Sequence, residues 1–93
     1  MKIEQFNQEN KGYFLALDGD IEAGRMTYSW AGNDKFIIDH TDVNPNYKGK
    51  NIGKQMIMKA VEFARENKIL IIPLCPFAQS VFEKVDEIKD VLV

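Results

Sequence analysis

One run most constrains what this chain can fold into: an amphipathic helix set between two apolar strands. From Gly53 to Asn67, Ile57, Ala60, Val61 and Ala64 recur at helical spacing, and Met56 and Phe63 widen the stripe. Lys54, Gln55, Lys59, Glu62, Arg65 and Glu66 cover the other side. Phe36–Val43 precedes this helix as a strand-like run, and Ile69–Leu74 follows it as a continuous apolar one. Strand, about four turns of helix, strand is the pattern of a right-handed parallel crossover. Pro45 bars the first strand from running on in the middle of a sheet.

The residues before the crossover read as an antiparallel meander. Ile3–Gln8 forms a short edge strand, and Asn7–Gly12 turns the chain. Tyr13–Leu17 is apolar and aromatic, as expected of a strand buried on both faces. Asp18-Gly19-Asp20 is a hairpin signal. In Ile21–Trp30, Met26, Tyr28 and Trp30 alternate with Arg25, Thr27 and Ser29, so one face is buried, and Gly24 marks a bulge. Tyr28, Met26 and Trp30 are read as core or groove lining. After the crossover, Pro76 stops the last strand, Ala78–Lys84 makes a short helix, and Val85, Ile88, Val91 and Leu92 keep helical spacing to the end. The expected fold class is α+β: about four antiparallel strands, a strand–helix–strand crossover and a short C-terminal helix, in one domain over residues 1–93.

Charge narrows the partners. Twelve basic and fourteen acidic residues give a net −2, which argues against a general nucleic-acid binder. The charge is uneven. Lys48, Lys50, Lys54 and Lys59 lie between Asp42 and Glu62 with no acid among them, while Glu83, Asp86, Glu87 and Asp90 make the tail acidic. A local cationic site on an anionic chain suits a small anionic ligand. No run reaches about 18 apolar residues, the start lacks the features of a signal peptide, and the single Cys75 fits a reducing compartment. The expectation is a cytoplasmic monomer with no membrane partner.

The lysines cluster where a turn becomes a helix. Gly49 and Gly53 allow close approach to the backbone, free N–H groups at a helix start attract anions, and lysines add charge-assisted contacts. This points to a diphosphate cradle. The spacing fails the P-loop test: Gly49 and Gly53-Lys54 are one residue too close, and Gln55 stands where a magnesium-binding Ser or Thr is needed. The three-glycine dinucleotide fingerprint is absent too. An ordinary solvated turn is the alternative reading of the same residues. Lysines there oppose the helix dipole at a cost of up to about 1 kcal/mol, which a bound anion would offset.

Val43-Asn44-Pro45-Asn46-Tyr47-Lys48-Gly49-Lys50-Asn51-Ile52-Gly53, running into the helix, resembles the acetyl-CoA-binding motif of the GNAT (N-acetyltransferase) superfamily, V-x-P-x-[YF]-[RQ]-x-x-G-x-[GA]. Lys48 takes the Arg/Gln position and Asn51 the first glycine. Cys75–Lys84 resembles the later N-x-x-A-x-x-[LF]-Y-E-K segment, so the likeness spans about residues 36–84. The resemblance implies a GNAT-like twisted sheet and acetyl-CoA (coenzyme A) as cofactor. It implies that Val43 and its neighbours pair with the pantetheine amides. Lys48, Gly49, Lys50, Asn51, Ile52, Gly53 and Lys54 would hold the pyrophosphate. The two last strands would splay to admit the thioester arm. The implied activity is transfer of acetyl to an amine.

Two positions depart together. Phe82 stands where many relatives carry a proton-donating tyrosine, and Cys75 where many carry asparagine. Cys75 and His40 are therefore the catalytic candidates: the first as acetyl carrier or proton donor, the second as the side chain that titrates nearest neutrality. The bland readings are a small buried thiol and a surface imidazole. Asp39, Asp42, His40 and Cys75 form no recognisable metal set. The helices and final strands that usually wall the acceptor site are missing, so the acceptor side should be open, suiting a protein or peptide amine, or no acceptor at all. Two alternatives remain. One is a CoA-binding module that barely turns over or passes acetyl through Cys75. The other is a basic-loop interaction domain.

Overall fold

The computed structural model describes residues Met1–Val93. Five strands form one sheet in sequence order: β1 (Lys2–Asn7), β2 (Lys11–Asp18), β3 (Ile21–Trp30), β4 (Lys35–Val43) and β5 (Leu70–Pro73). The first four pair antiparallel, and β5 pairs parallel to β4. Helix α1 (Ile52–Asn67) makes the crossover between them. Helix α2 (Pro76–Lys84) follows β5, and a 3-10 helix at Asp86–Val91 ends the chain. The α+β class and the meander-then-crossover order are those expected. No helix is long and apolar enough to cross a membrane.

All helices pack on one face of the sheet. The apolar stripe of α1, including Met56, Ile57, Ala60, Val61 and Ala64, is buried against Phe14, Ala16, Met26, Tyr28, Phe36 and Ile38. Truncating one of these, such as Ile57 to Ala, would cost about 2–5 kcal/mol. Trp30 packs edge-on against Phe36 and Phe63, and Tyr28 stacks on Phe36 at 4.6 Å. The 3-10 helix is fastened to α1 by Arg65, whose guanidinium reaches Asp90 at 2.8 and 3.0 Å and the Glu87 carbonyl at 2.6 Å. That fork holds the Asp90 carboxyl below its ordinary range.

The opposite sheet face carries no helix, and this corrects one expectation. Strand β2 is buried on one face only: Phe14 and Ala16 point into the core, while Tyr13, Leu15 and Leu17 are half-exposed. Its apolar run gave no alternation to read. The irregularity expected at Gly24 is centred on Ala23, which is left unopposed as pairing steps from Ala16–Gly24 to Leu17–Glu22. Gly24 serves α1 instead: a Cβ there would meet Ile52 Cγ2 at 2.9 Å and Met56 Cε at 3.0 Å.

The last elements also differ from expectation. Pro76 opens α2 rather than ending β5, because its missing N–H is harmless at a first helical position. The tail forms a 3-10 helix in which Ile88 and Val91 are buried, and Leu92 bridges Ile71 beyond it.

A second bulge decides the site. Thr27 pairs with His40 but Tyr28 pairs with Ile38, so Asp39 is unopposed. One extra residue turns every later side chain of β4 to the other face. Thr41, opposite Met26, therefore faces the helices, while Asp39 and His40 share the open face.

Candidate functional site

Strands β4 and β5 part early. Pairing covers Lys35–Ile38 against Leu70–Pro73, and the amides of Leu74 and Cys75 both converge on the Ile38 carbonyl at 3.1 and 3.2 Å. Pro76 then starts α2 and carries the chain away. The edge of β4 from Asp39 to Val43 is left without a strand partner on that side.

The loop at the upper end of β4 is braced from below. The Asn44 amide donates to the Ala23 carbonyl at 2.8 Å, and its side chain donates to the Glu22 carbonyl at 3.2 Å. The Asn44 side-chain oxygen accepts from the Asn46 amide at 3.0 Å, capping a 3-10 turn over Pro45–Tyr47. Tyr47 is buried, and its hydroxyl donates to Asp18 Oδ2 at 2.6 Å. Asp18 raises the Tyr47 phenol above its ordinary value, chiefly through that hydrogen bond and with some help from burial.

Past this brace the backbone turns outward. Gly49 and Asn51 both adopt positive φ, at 83° and 59°. Asparagine tolerates that conformation better than most residues, which is how it stands at a glycine position. Asn51 is the N-cap of α1, yet its side chain caps nothing, and the first turn holds no acid. The loop amides that do bond inward are those of Asn46, Tyr47, Lys48, Lys50 and Gln55. The amides of Gly49, Asn51, Ile52, Gly53 and Lys54 have no acceptor within the chain. A helix start normally satisfies some of these donors with a side chain. Here five are free, with Lys48 and Lys54 beside them.

These amides border a groove of about 450 Å³. Of the residues singled out from the sequence, Val43, Lys48, Gly49, Asn51, Ile52, Gly53 and Lys54 line it. Lys50 does not. Its ammonium lies 5.6 Å over the Tyr47 ring, and it lines a neighbouring groove. The far wall is α2, through Phe77, Ser80, Val81 and Lys84. Phe77, Ser80 and Lys84 were not foreseen, although their spacing of three and four residues places them on one helix face. Gly53 has a packing duty as well: a Cβ there would lie 2.6 Å from the Phe77 ring.

The two catalytic candidates lie on opposite sides of the sheet. Cys75 is buried at the N-cap of α2, where its sulfur accepts from the Ala78 amide at 3.3 Å. Across the parting strands, Thr41 Oγ1 lies 3.3 Å from Cys75 Sγ. Thr41 escaped sequence reading because it faces the sulfur only by virtue of the bulge at Asp39. His40 is exposed on the open face, in a shallow depression with Tyr13, Arg25, Ser29 and Asp39. Phe82 is buried in the core and has no hydroxyl to offer. No group of three or more His, Cys, Asp or Glu side chains is arranged to hold a metal.

The fold agrees with comparisons to known proteins. The family model for GCN5-related N-acetyl-transferases matches residues 12–91. No curated protein sequence matches. A GCN5-like protein from Staphylococcus aureus, solved in solution by NMR, is 37% identical, with a TM-score of 0.72 over 97% of this chain and 87% of that one. The ribosomal-protein-alanine N-acetyltransferase of Brucella melitensis shares the fold at TM-score 0.70 and 16% identity, over 84% of this chain and 62% of its own. The ribosomal-protein-S18-alanine N-acetyltransferase of Escherichia coli does so at 0.71 and 12%, over 84% of this chain and 53% of its own. The chain belongs to the GCN5-related N-acetyltransferase family.

Proposed function

We propose that this chain binds acetyl-CoA and transfers its acetyl group to an amine. The observation that carries the reading is the set of five free amides, Gly49, Asn51, Ile52, Gly53 and Lys54, at an uncapped helix start flanked by lysines. A diphosphate is the group that such a nest satisfies, since it offers several acceptor oxygens and negative charge together. The groove takes in Val43, the last residue of the unpaired edge of β4. An extended arm with two amides can bond to that edge as an added strand would. Its thioester end then lies near Thr41 and Cys75.

What the chain must supply for transfer is modest: orientation of the thioester, exclusion of water, and a proton for the departing thiolate. Val43, Phe77 and Val81 supply the apolar wall. The acceptor is an amine carried on a protein or peptide, because the open sheet face has no helix to enclose a small one.

A second reading is favoured by the Thr41–Cys75 contact. In it the Cys75 sulfur attacks the thioester carbonyl, CoA leaves as the thiol, and an S-acetyl cysteine later passes its acetyl to the amine.

Amide shifts followed during titration with acetyl-CoA test the first reading. Gly49 and Asn51–Lys54 should move first and furthest. Stationary amides at millimolar ligand would sink it.

A further inference from the structure

The two edges of the sheet are finished differently. Beyond β5, Leu92 bridges Ile71 and the Val93 amide donates to the Ile71 carbonyl at 3.2 Å, so the chain's own tail occupies part of that edge. At the other edge, β1 has a neighbour on one side only. It pairs with β2 in unbroken register over Lys2–Asn7, without the bulge or proline that blunts many free edges. The Gln8 amide bonds to the Lys11 carbonyl, and antiparallel ladders alternate, so the backbone groups of Ile3 and Gln5 point away from β2. Ile3 packs against the core on the helix side. Lys2 and Glu4, on the other face, are 2.9 Å apart.

We infer that β1 pairs with β1 of a second copy of this chain, antiparallel, about a two-fold axis at Ile3. In that register Lys2 stands opposite Glu4 of the second copy, and Glu4 opposite its Lys2. Moving the axis to Lys2 or to Glu4 sets like charges directly opposite, which destabilises a sheet. Helix α1 carries the same self-complementarity. On its side toward β1 it presents Lys54 and Lys59 first, then Glu62 and Glu66. Ile3 borders Lys59 and Glu62, so the axis passes beside the middle of this stripe. Two copies of α1 then run antiparallel over one face of the joined sheet, and the basic half of each faces the acidic half of the other. Lys54 with Glu66, and Lys59 with Glu62, share one centre. Ile3 and Met58, which is 37% exposed, make the middle of the contact apolar. The unpaired edge of β4 lies away from β1, so both copies keep it open. The chain is thus a symmetric dimer and not the monomer expected from its sequence.

Analytical ultracentrifugation across a concentration series tests the pairing. The wild-type chain should approach twice its monomer mass as concentration rises. Glu4→Lys, which sets lysines opposite each other on both sides of the axis, should raise the dissociation constant by about tenfold or more. The Lys2→Glu/Glu4→Lys variant exchanges the two charges and should dimerise as the wild type does. Cross-linking reads the register. Ile3→Cys should form a disulfide between copies under mild oxidation, since directly opposite residues of a hydrogen-bonded pair lie about 5.5 Å apart at Cα. Gln5→Cys has no copy of itself opposite and should not. A wild type that stays monomeric at millimolar concentration would overturn the inference. So would a dimer that Glu4→Lys leaves intact, a charge exchange that fails to restore it, or equal cross-linking at Ile3 and Gln5.

Discussion

The Tyr47 hydroxyl donates to Asp18 Oδ2 at 2.6 Å and ties the loop before α1 to the β2–β3 hairpin. The loop residues with free amides have no other side-chain anchor below them; Asn44, just before, bonds to the backbone of β3. Removing the bond should loosen the nest without unfolding the sheet. Tyr47→Phe and Asp18→Asn should each weaken CoA binding by roughly threefold to tenfold and lower the thermal midpoint by only about 4–8 °C, because a net hydrogen bond contributes about 1 kcal/mol. The pair should act as a unit, so the double variant should be no worse than the poorer single one. The pH dependence follows from the raised phenol of Tyr47. A group whose folded value lies above its unfolded one contributes fully below the unfolded value, 10.0. Its contribution fades as pH rises through the higher folded value. CoA affinity should therefore hold through neutrality with respect to this bond, and decline only in strong alkali. A decline between pH 6 and 8 that vanishes in Tyr47→Phe would contradict the assignment.

Gly53 serves two masters, and a rescue experiment separates them. Its missing Cβ lets the Phe77 ring lie against α1, and its amide is one of the five free donors. Gly53→Ala should destabilise the chain by about 1–3 kcal/mol through overpacking, read as a lower denaturant midpoint. Phe77→Ala alone should also destabilise, since it empties the wall of the groove. Combined, the two should be closer to wild-type stability than the sum of the singles predicts. CoA affinity should not recover in the double variant if the backbone at Gly53 must meet the diphosphate. Recovery of both together would reduce Gly53 to a packing residue.

The strand–helix–strand crossover was legible because its signals are local. Ile57, Ala60 and Val61 report a period, Pro45 reports a break, and the glycine and lysine positions report a turn into a helix. That Val43, Lys48, Gly49 and Asn51–Lys54 come together around one groove was legible for the same reason, since they are nearly contiguous; Lys50, between them, lies outside it. What stayed hidden depends on register. The apolar run Tyr13–Leu17 looks alike whether one face is covered or two. The bulge at Asp39 has no glycine or proline to announce it, yet it sends His40 to the open face and Thr41 toward Cys75. A groove beside the start of α1 is lined by both Lys2 and Lys59, which sequence distance conceals.

Thr41 and Cys75 make a second testable pair. If Cys75 carries acetyl, incubation with acetyl-CoA and no acceptor should add one acetyl unit to the chain, and Cys75→Ala should abolish both the adduct and turnover. Thr41→Val, which keeps the shape but removes the hydroxyl beside the sulfur, should slow adduct formation by roughly tenfold and leave CoA affinity alone. Direct transfer gives the opposite pattern: no adduct, and a Cys75→Ala chain that still releases CoA in the presence of an amine. Mass spectrometry of the intact chain distinguishes the two.

His40 offers the sharpest test of which side the acceptor comes from. It lies outside the groove beside the free amides and shares the open face with Asp39, Arg25 and Tyr13. Ser29 Oγ donates to Asp39 Oδ2 at 2.7 Å, which fixes the carboxylate beside it, and the Arg25 guanidinium sits 4.7 Å over the Tyr13 ring. An amine arriving over this face meets the imidazole before it meets the thioester. His40→Ala should therefore leave acetyl-CoA affinity unchanged within about twofold, while kcat/KM for the acceptor falls by roughly tenfold to a hundredfold. Arg25→Ala, which unseats the Tyr13 stack, should raise the acceptor KM with little effect on kcat. Equal losses of cofactor affinity and turnover in His40→Ala would make the histidine a structural residue. The acceptor would then have to reach the thioester from the helical side, past Leu74 and Phe77, the exposed apolar residues that flank the parting strands.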